Sequence, residues 1–301
     1  MSELITLDFP VDKIQLNRIY DNFQKLSQLK ESSPEGIVLP KVQAVYGDMY
    51  LPDAPDHRPY TYGCLVFSME GKIGFPDDPQ GPLVARQNFL DEDGALADFW
   101  VLNMCRAYAD GVIIGAKTLQ AEKDVTCHVF DKDLVNQRMA ILKKESMAPV
   151  NIVVSFDGTD IPLNHHIFNV NELDVWIGTS PRGAEYLQEH FNRNHVVFGP
   201  YNSTDNLPLE QISKYLRENC GIIPVLATGV DDRPNTSIFL WMLRALKIKR
   251  LLVESPSYIW HLLHEKCLDE AFLKKFSKFC RKFKSNIERI KYKKFSIIKL
   301  I

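Results

Sequence analysis

From Arg58 onward the chain alternates short apolar runs with longer amphipathic ones. The apolar runs are rich in Val and Ile and predict strands over 62–67, 111–114, 151–155, 173–177, 196–198, 222–227 and 250–253. They lack polar alternation, the habit of parallel strands buried on both faces. Between them, apolar residues recur at helical spacing over 93–108, 132–144, 183–193, 209–219, 237–246 and 256–266. Strand–helix alternation of this kind predicts a layered α/β domain with right-handed crossovers. Upstream, Val11, Ile14, Ile19, Phe23 and Leu26 follow Pro10 at three- to five-residue steps, predicting an amphipathic helix over 10–30. The Ser-Ser-Pro-Glu-Gly stretch at 32–36 breaks it, and the proline-rich stretch 48–59 reads as a connector.

Composition narrows the class. Of 301 residues, 45% are apolar and 25% charged, which excludes disordered and fibrous chains. No apolar run approaches the ~18 residues needed to span a bilayer. The N-terminus lacks the basic-then-apolar order of a signal peptide. Six widely spaced cysteines without a CxxC pair argue against a zinc knuckle or a disulfide scaffold. The expectation is a soluble cytoplasmic protein. Its formal charge of −2 gives no footprint for nucleic acid, yet hides an asymmetry. Residues 274–301 hold eleven Lys and Arg against one acid, Glu288, so they carry +10 on a body of −12. The chain divides accordingly into an N-terminal helical extension and linker (1–57), a core domain (58–273) and a basic segment (274–301). That segment reads as a polyanion-binding tail, a solvated helix face, or a tail docked on the acidic body.

Ligands of an open α/β sheet bind outside the carboxyl ends of its strands. Three such ends carry small or hydroxyl residues: Gly115-Ala116-Lys117-Thr118, Thr228-Gly229, and Glu254-Ser255-Pro256-Ser257. Residues of this kind let backbone N–H groups approach a phosphate, and they equally serve as ordinary turns and caps. The chain has no G-x-G-x-x-G, no complete Walker loop, no H-x-E with P-C-x-x-C, and no G-x-S-x-G elbow. His165-His166 is the one close histidine pair; no neighbouring acid or Cys completes a ligand set, so it reads as a surface turn and no metal is expected.

Three blocks, in order, resemble the riboflavin-pathway pyrimidine reductase family. Arg58-Pro59-Tyr60 with Ser68-Met69-Glu70-Gly71-Lys72-Ile73 is similar to its R-P-Y…S-x-D-G-K-I opening strand. The run from Arg106 through Asp110 and Gly115 to Thr118-Leu119 is similar to its R-A-x-x-D-A-I-x-x-G-x-x-T-V element. Leu251-Leu252-Val253-Glu254, Leu262-Leu263 and Asp269-Glu270 are similar to L-V-E-G-G-P…L-L…D-E. The resemblance covers about residues 58–272. It implies a dihydrofolate-reductase-like three-layer sandwich with a mainly parallel twisted sheet, NADPH as cofactor, and a homodimer. It also implies reduction of a phosphoribosylamino-pyrimidine or related heterocycle. The deaminase module that often precedes this domain is expected to be absent.

By position, the resemblance assigns substrate contacts to Arg106 and Glu254, without proton transfer. It assigns cofactor contacts to Phe67, Gly115, Thr118, Glu122, Ser255, Pro256 and Ser257. The alternatives stay open: Arg106 as the solvated end of a helix, Glu254 as a cap of the next one. Three departures stand out. Gly-Gly-Pro is Ser255-Pro256-Ser257. The stretch after Thr118 lacks the Pro and Arg of D-x-P-x-L-x-x-R. And no Gly follows Gly229, so the closing strand pair is not expected in its usual form, Phe276, Phe279 and Phe283 having helical spacing, while Phe295, Ile297 and Ile298 offer one short terminal strand. Ser255 is expected to cap the helix behind it and so compete with a phosphate for backbone donors. The leading expectation is an NAD(P)H-dependent reductase; the alternative is a catalytically silent nucleotide-binding member of the same fold.

Overall fold

The computed structural model describes residues 4–14, 16–20, 23–32, 38–68, 71–75, 77, 80–81, 83–86, 93–205, 207–275 and 296–300. In chain order its strands are β1 Asn17–Tyr20, β2 Tyr60–Phe67, β3 Gly111–Gly115, β4 Val150–Val154, β5 Val175–Thr179, β6 His195–Tyr201, β7 Ile223–Thr228, β8 Arg250–Val253, β9 Glu270–Lys275 and β10 Ser296–Leu300. The helices are α1 Phe23–Ser32, α2 Pro40–Val45, α3 Leu83–Arg86, α4 Gly94–Tyr108, α5 Ala116–Ala121, α6 Lys132–Ala140, α7 Pro181–His190, α8 Leu209–Glu218, α9 Thr236–Ala245 and α10 Pro256–His264.

All ten strands form one sheet, ordered β1-β10-β9-β2-β8-β3-β4-β5-β7-β6. From β9 to β6 the eight neighbours run parallel. Side chains alternate between the two faces of a strand, so each apolar run feeds two cores. Val112, Ile114, Val153, Val225 and Leu252 pack under α4, α6 and α7, while Ile113, Ile152, Leu226, Leu251 and Val253 pack under α9 and α10. The result is a three-layer α/β sandwich with a mainly parallel sheet. Because the strands are parallel, their carboxyl ends share one edge, where α5, α7, α9 and α10 begin.

Two expectations about the ends of the chain are corrected. Residues 10–30 are not one helix: a 3-10 turn at Val11–Lys13 and strand β1 precede α1. β1 pairs in parallel with β10, so hydrogen-bond partners from the far end of the chain override a local helical period. A closing strand pair, not expected in its usual form, also appears, from Glu270–Lys275 and from Ser296–Leu300, the short terminal strand that Ile297 and Ile298 offered. β9 and β10 run antiparallel with Ser296 opposite Lys275, because β10 satisfies the backbone of both β9 and β1. The spacing of Phe276, Phe279 and Phe283 lies outside the described residues. Leu4, Phe9, Ile14, Leu39 and Val42, from the first 57 residues, are buried in the same core as α4 and α6.

Among the described residues, no helix is long and apolar enough to cross a membrane and no group of three His, Cys, Asp or Glu is placed to hold a metal ion.

Candidate functional site

β3 and β8 are neighbours, with Ile113 opposite Val253. Their carboxyl ends therefore bring Gly115 and Ser255 side by side. A Cβ on Gly115 would lie 2.6 Å from Ser255 Oγ, so any larger residue there would have to push the Ser255 hydroxyl aside. Pro256 occupies the first turn of α10, where its fixed φ suits the helix.

Ser255, 2% exposed, does not behave as expected. Its hydroxyl caps no backbone N–H of α10 and instead pairs with Ser257 Oγ at 3.2 Å. Two other helices on this edge are capped in the usual way. Ser180 accepts from Gly183 N at 3.2 Å, and Asn235 accepts from Ile238 N at 3.0 Å. The first turn of α10 thus keeps its donors clear of a side-chain cap, and the expected competition with an anion loses its premise.

Arg106 lies in the last turn of α4 and is neither solvated nor free. Its Nε donates to Glu254 Oε1 and its Nη2 to Glu254 Oε2, both at 2.7 Å. Nη1 donates to the carbonyls of His128 at 3.1 Å and Thr126 at 3.5 Å. Burial works against the guanidinium charge, but the Glu254 carboxylate more than offsets it, and the group stays charged. Cys127 Sγ lies 3.7 Å from Glu254 Oε2; burial and that carboxylate push the thiol up. Arg106 and Glu254 face each other, tying α4, the 126–128 segment and the end of β8 into one buried cluster. Glu254 does not cap α10.

The other assigned residues spread along the edge. Phe67 ends β2, two strands from Gly115, and is half-buried. Thr118 sits in the short α5, and its carbonyl accepts from Glu122 N at 2.9 Å. The Glu122 carbonyl bonds His165 Nε2 at 2.8 Å. His165 is 6% exposed, so one half of the histidine pair is a buried clamp and only His166 is a surface residue. The structure brings together Gly115, Ser255, Pro256 and Ser257; Thr118 lies farther along α5 and Glu122 just past its end.

Thr228 ends β7, beyond β4 and β5. It reaches the rest of the edge through a pocket that it lines with Ser155, Phe156, Thr179, Thr236 and Tyr258. The free volume is about 20 Å3, room for a water rather than a ring. Of these hydroxyls the sequence reading singled out Thr228 and missed Ser155, Thr179, Thr236 and Tyr258. The signal was their position at the carboxyl ends of predicted strands, but Ser and Thr are too common there to single out.

No family model and no curated protein matches the chain. Among solved structures, a pyrimidine reductase-like protein from Corynebacterium diphtheriae is 19% identical, with a TM-score of 0.49, over 79% of this chain and 81% of that one. RibD from Acinetobacter baumannii is 14% identical, with a TM-score of 0.46, over 78% of this chain; the chain spans about half of that protein's length, 52%. The riboflavin biosynthesis reductase of Saccharomyces cerevisiae is 9% identical, with a TM-score of 0.43, over 86% of this chain and 85% of that one.

Proposed function

We propose that the chain is an NAD(P)H-dependent reductase acting on a ribosylamino-pyrimidine or a related small heterocycle, as a cytoplasmic homodimer. One observation carries the reading: at the junction of β3 and β8, a bare glycine backbone meets a helix first turn that no side chain caps. Backbone donors at a helix start, with no Cβ in the way, suit a pyrophosphate. The group fits this chain with its phosphates between Gly115 and Ser257. The nicotinamide then lies toward Phe67 and the adenosine toward the Thr228–Tyr258 pocket. When bound, a dihydronicotinamide supplies the hydride; the protein's part is alignment and exclusion of water. Arg106 contributes by holding the Glu254 carboxylate and the 126–128 segment in place.

The engagement of Arg106 by Glu254 also favours a second reading, a nucleotide-binding module without turnover, because the guanidinium assigned to substrate is already occupied. Titration with NADPH and NADH, beside NADPH oxidation in the presence of a phosphoribosylamino-pyrimidine, separates the two. Binding with oxidation supports the reductase, and binding without oxidation supports the silent module. A cofactor complex with the phosphates at the amino edge of the sheet overturns both.

A further inference from the structure

The chain leaves β4 through Ser155 and Phe156, and Phe156 stands at the carboxyl edge 53% exposed. A lone exposed apolar side chain is ordinary, but this one is held in place. The Phe156 carbonyl accepts from Ser180 N at 3.2 Å and from Thr179 Oγ1 at 3.3 Å, at the end of β5. Its ring has a neighbour that is fixed in turn. The His261 ring of α10 stands at 70° to it, with centroids 5.9 Å apart. His261 Nε2 bonds Oγ1 of Thr236, the first residue of α9, at 2.7 Å. Contacts from β5, α9 and α10 thus hold an aromatic ring at the surface.

Phe156 also lines the small pocket that Thr228 shares with Ser155, Thr179 and Thr236. At about 20 Å3 that pocket admits a water and no base. A flat ring bound at this end has to lie outside it, against Phe156. The place in the sheet agrees. Gly115 is opposite Val154 in the β3–β4 register, so Phe156 lies one strand spacing over, about 5 Å, and two residues further along. On the other side of that junction, Phe67 ends β2. From β2 through β8 and β3 to β4 is three spacings, about 14 Å, with Gly115 and Ser257 between. A phosphate junction flanked by two phenylalanines matches an extended dinucleotide, which carries a flat ring at each end of its pyrophosphate.

We propose that Phe156 is the platform on which the adenine of the dinucleotide stacks, with His261 and Thr236 fixing its ring. This role rests on the carboxyl edge being a dinucleotide site, and adds the side chain that holds the base. Every base has a π face, so stacking on an aromatic ring supplies affinity without reading the hydrogen-bonding edge. A ring already held by its neighbours loses little freedom when the base arrives. Phe156 is a binding residue and takes no part in hydride transfer.

The test titrates the full-length chain calorimetrically with NADPH, NADH, ADP-ribose and the 2′-phosphate of ADP-ribose. The last two keep the adenosine end and lack the nicotinamide. Phe156→Ala should weaken the tighter dinucleotide and its matching fragment alike, by about tenfold, while Phe156→Trp keeps the parental affinity. Phe156→Leu retains apolar bulk without the π face; it should bind as Phe156→Ala does, and it decides the matter if the alanine variant melts early. A parent that binds neither NADPH nor NADH overturns the dinucleotide reading, and this proposal with it. A parent that binds them, with Phe156→Ala or Phe156→Leu folded and binding the fragment as tightly, overturns this proposal alone. So does a loss confined to the dinucleotides, which would put the nicotinamide on Phe156, or a parent that binds a dinucleotide and neither fragment.

Discussion

Arg106 shows how burial changes the meaning of a side chain. Its position favoured a ligand contact, whereas its surroundings make it a strut between Glu254 and the 126–128 carbonyls. Arg106→Met should therefore leave a buried carboxylate without its partner, a loss of about 3–5 kcal/mol. Denaturant unfolding should report this as a lower midpoint; an unchanged midpoint with weakened substrate binding would restore the ligand role. His128 makes a second test at this scale. Its ring is buried between Thr126 Oγ1 at 2.9 Å and the Ile5 carbonyl at 2.9 Å. Burial, helped by the Arg106 charge, lowers its pKa to about 4 from the ordinary 6.5. Between those values the unfolded chain binds more protons than the folded one. Stability should thus fall as pH drops from about 6.5 to 4, by roughly 3 kcal/mol, and this contribution should be flat above that window. His128→Gln should remove that slope in pH-dependent unfolding; a slope that survives assigns it to other groups.

Among the elements, the carboxyl-edge helices differ in how they start, and the difference is measurable. Ser180→Ala and Asn235→Ala each remove an acceptor from a first-turn N–H and should cost about 1 kcal/mol. Ser255→Ala removes no cap, and exposed Ser257 can turn to water, so thermal melts should show a smaller loss. An equal loss in all three would mean that Ser255 does cap α10. Gly115→Ala tests the cradle itself. Its Cβ would meet Ser255 Oγ at 2.6 Å, so the variant should bind NADPH more weakly than the parent by calorimetric titration. Unaltered affinity would move the phosphates away from this junction.

For the molecule as a whole, the sheet is closed by its last strand. β10 pairs with β9 through five register positions and with β1 on its other side. A chain ending at Lys275 loses both partners at once. Hydrogen exchange should then show lost protection in β1 and in the β9 amides that face β10, with retained protection in β3, β4 and β8. Uniform retention would show that the β10 pairing adds little to the fold.

The central architecture was legible from residue pattern alone, because a strand buried on both faces must be apolar throughout, and helices covering it must repeat near 3.6 residues. β8 was expected over 250–253 and runs Arg250–Val253, and α4, expected over 93–108, runs Gly94–Tyr108. The clustering of small residues after β3 and β8 was legible for the same reason: parallel strands share a carboxyl edge. β1 was not legible, and of β10 only the short apolar run at Ile297 and Ile298 was, since the two strands find each other from opposite ends of the sequence and pairing over that distance leaves no local period. The engagement of Arg106 with Glu254 and the pairing of Ser255 with Ser257 instead of a cap are likewise tertiary decisions. Residue type determined which groups could ionise or donate; which of several available partners each one met depended on how strands and helices were brought into register.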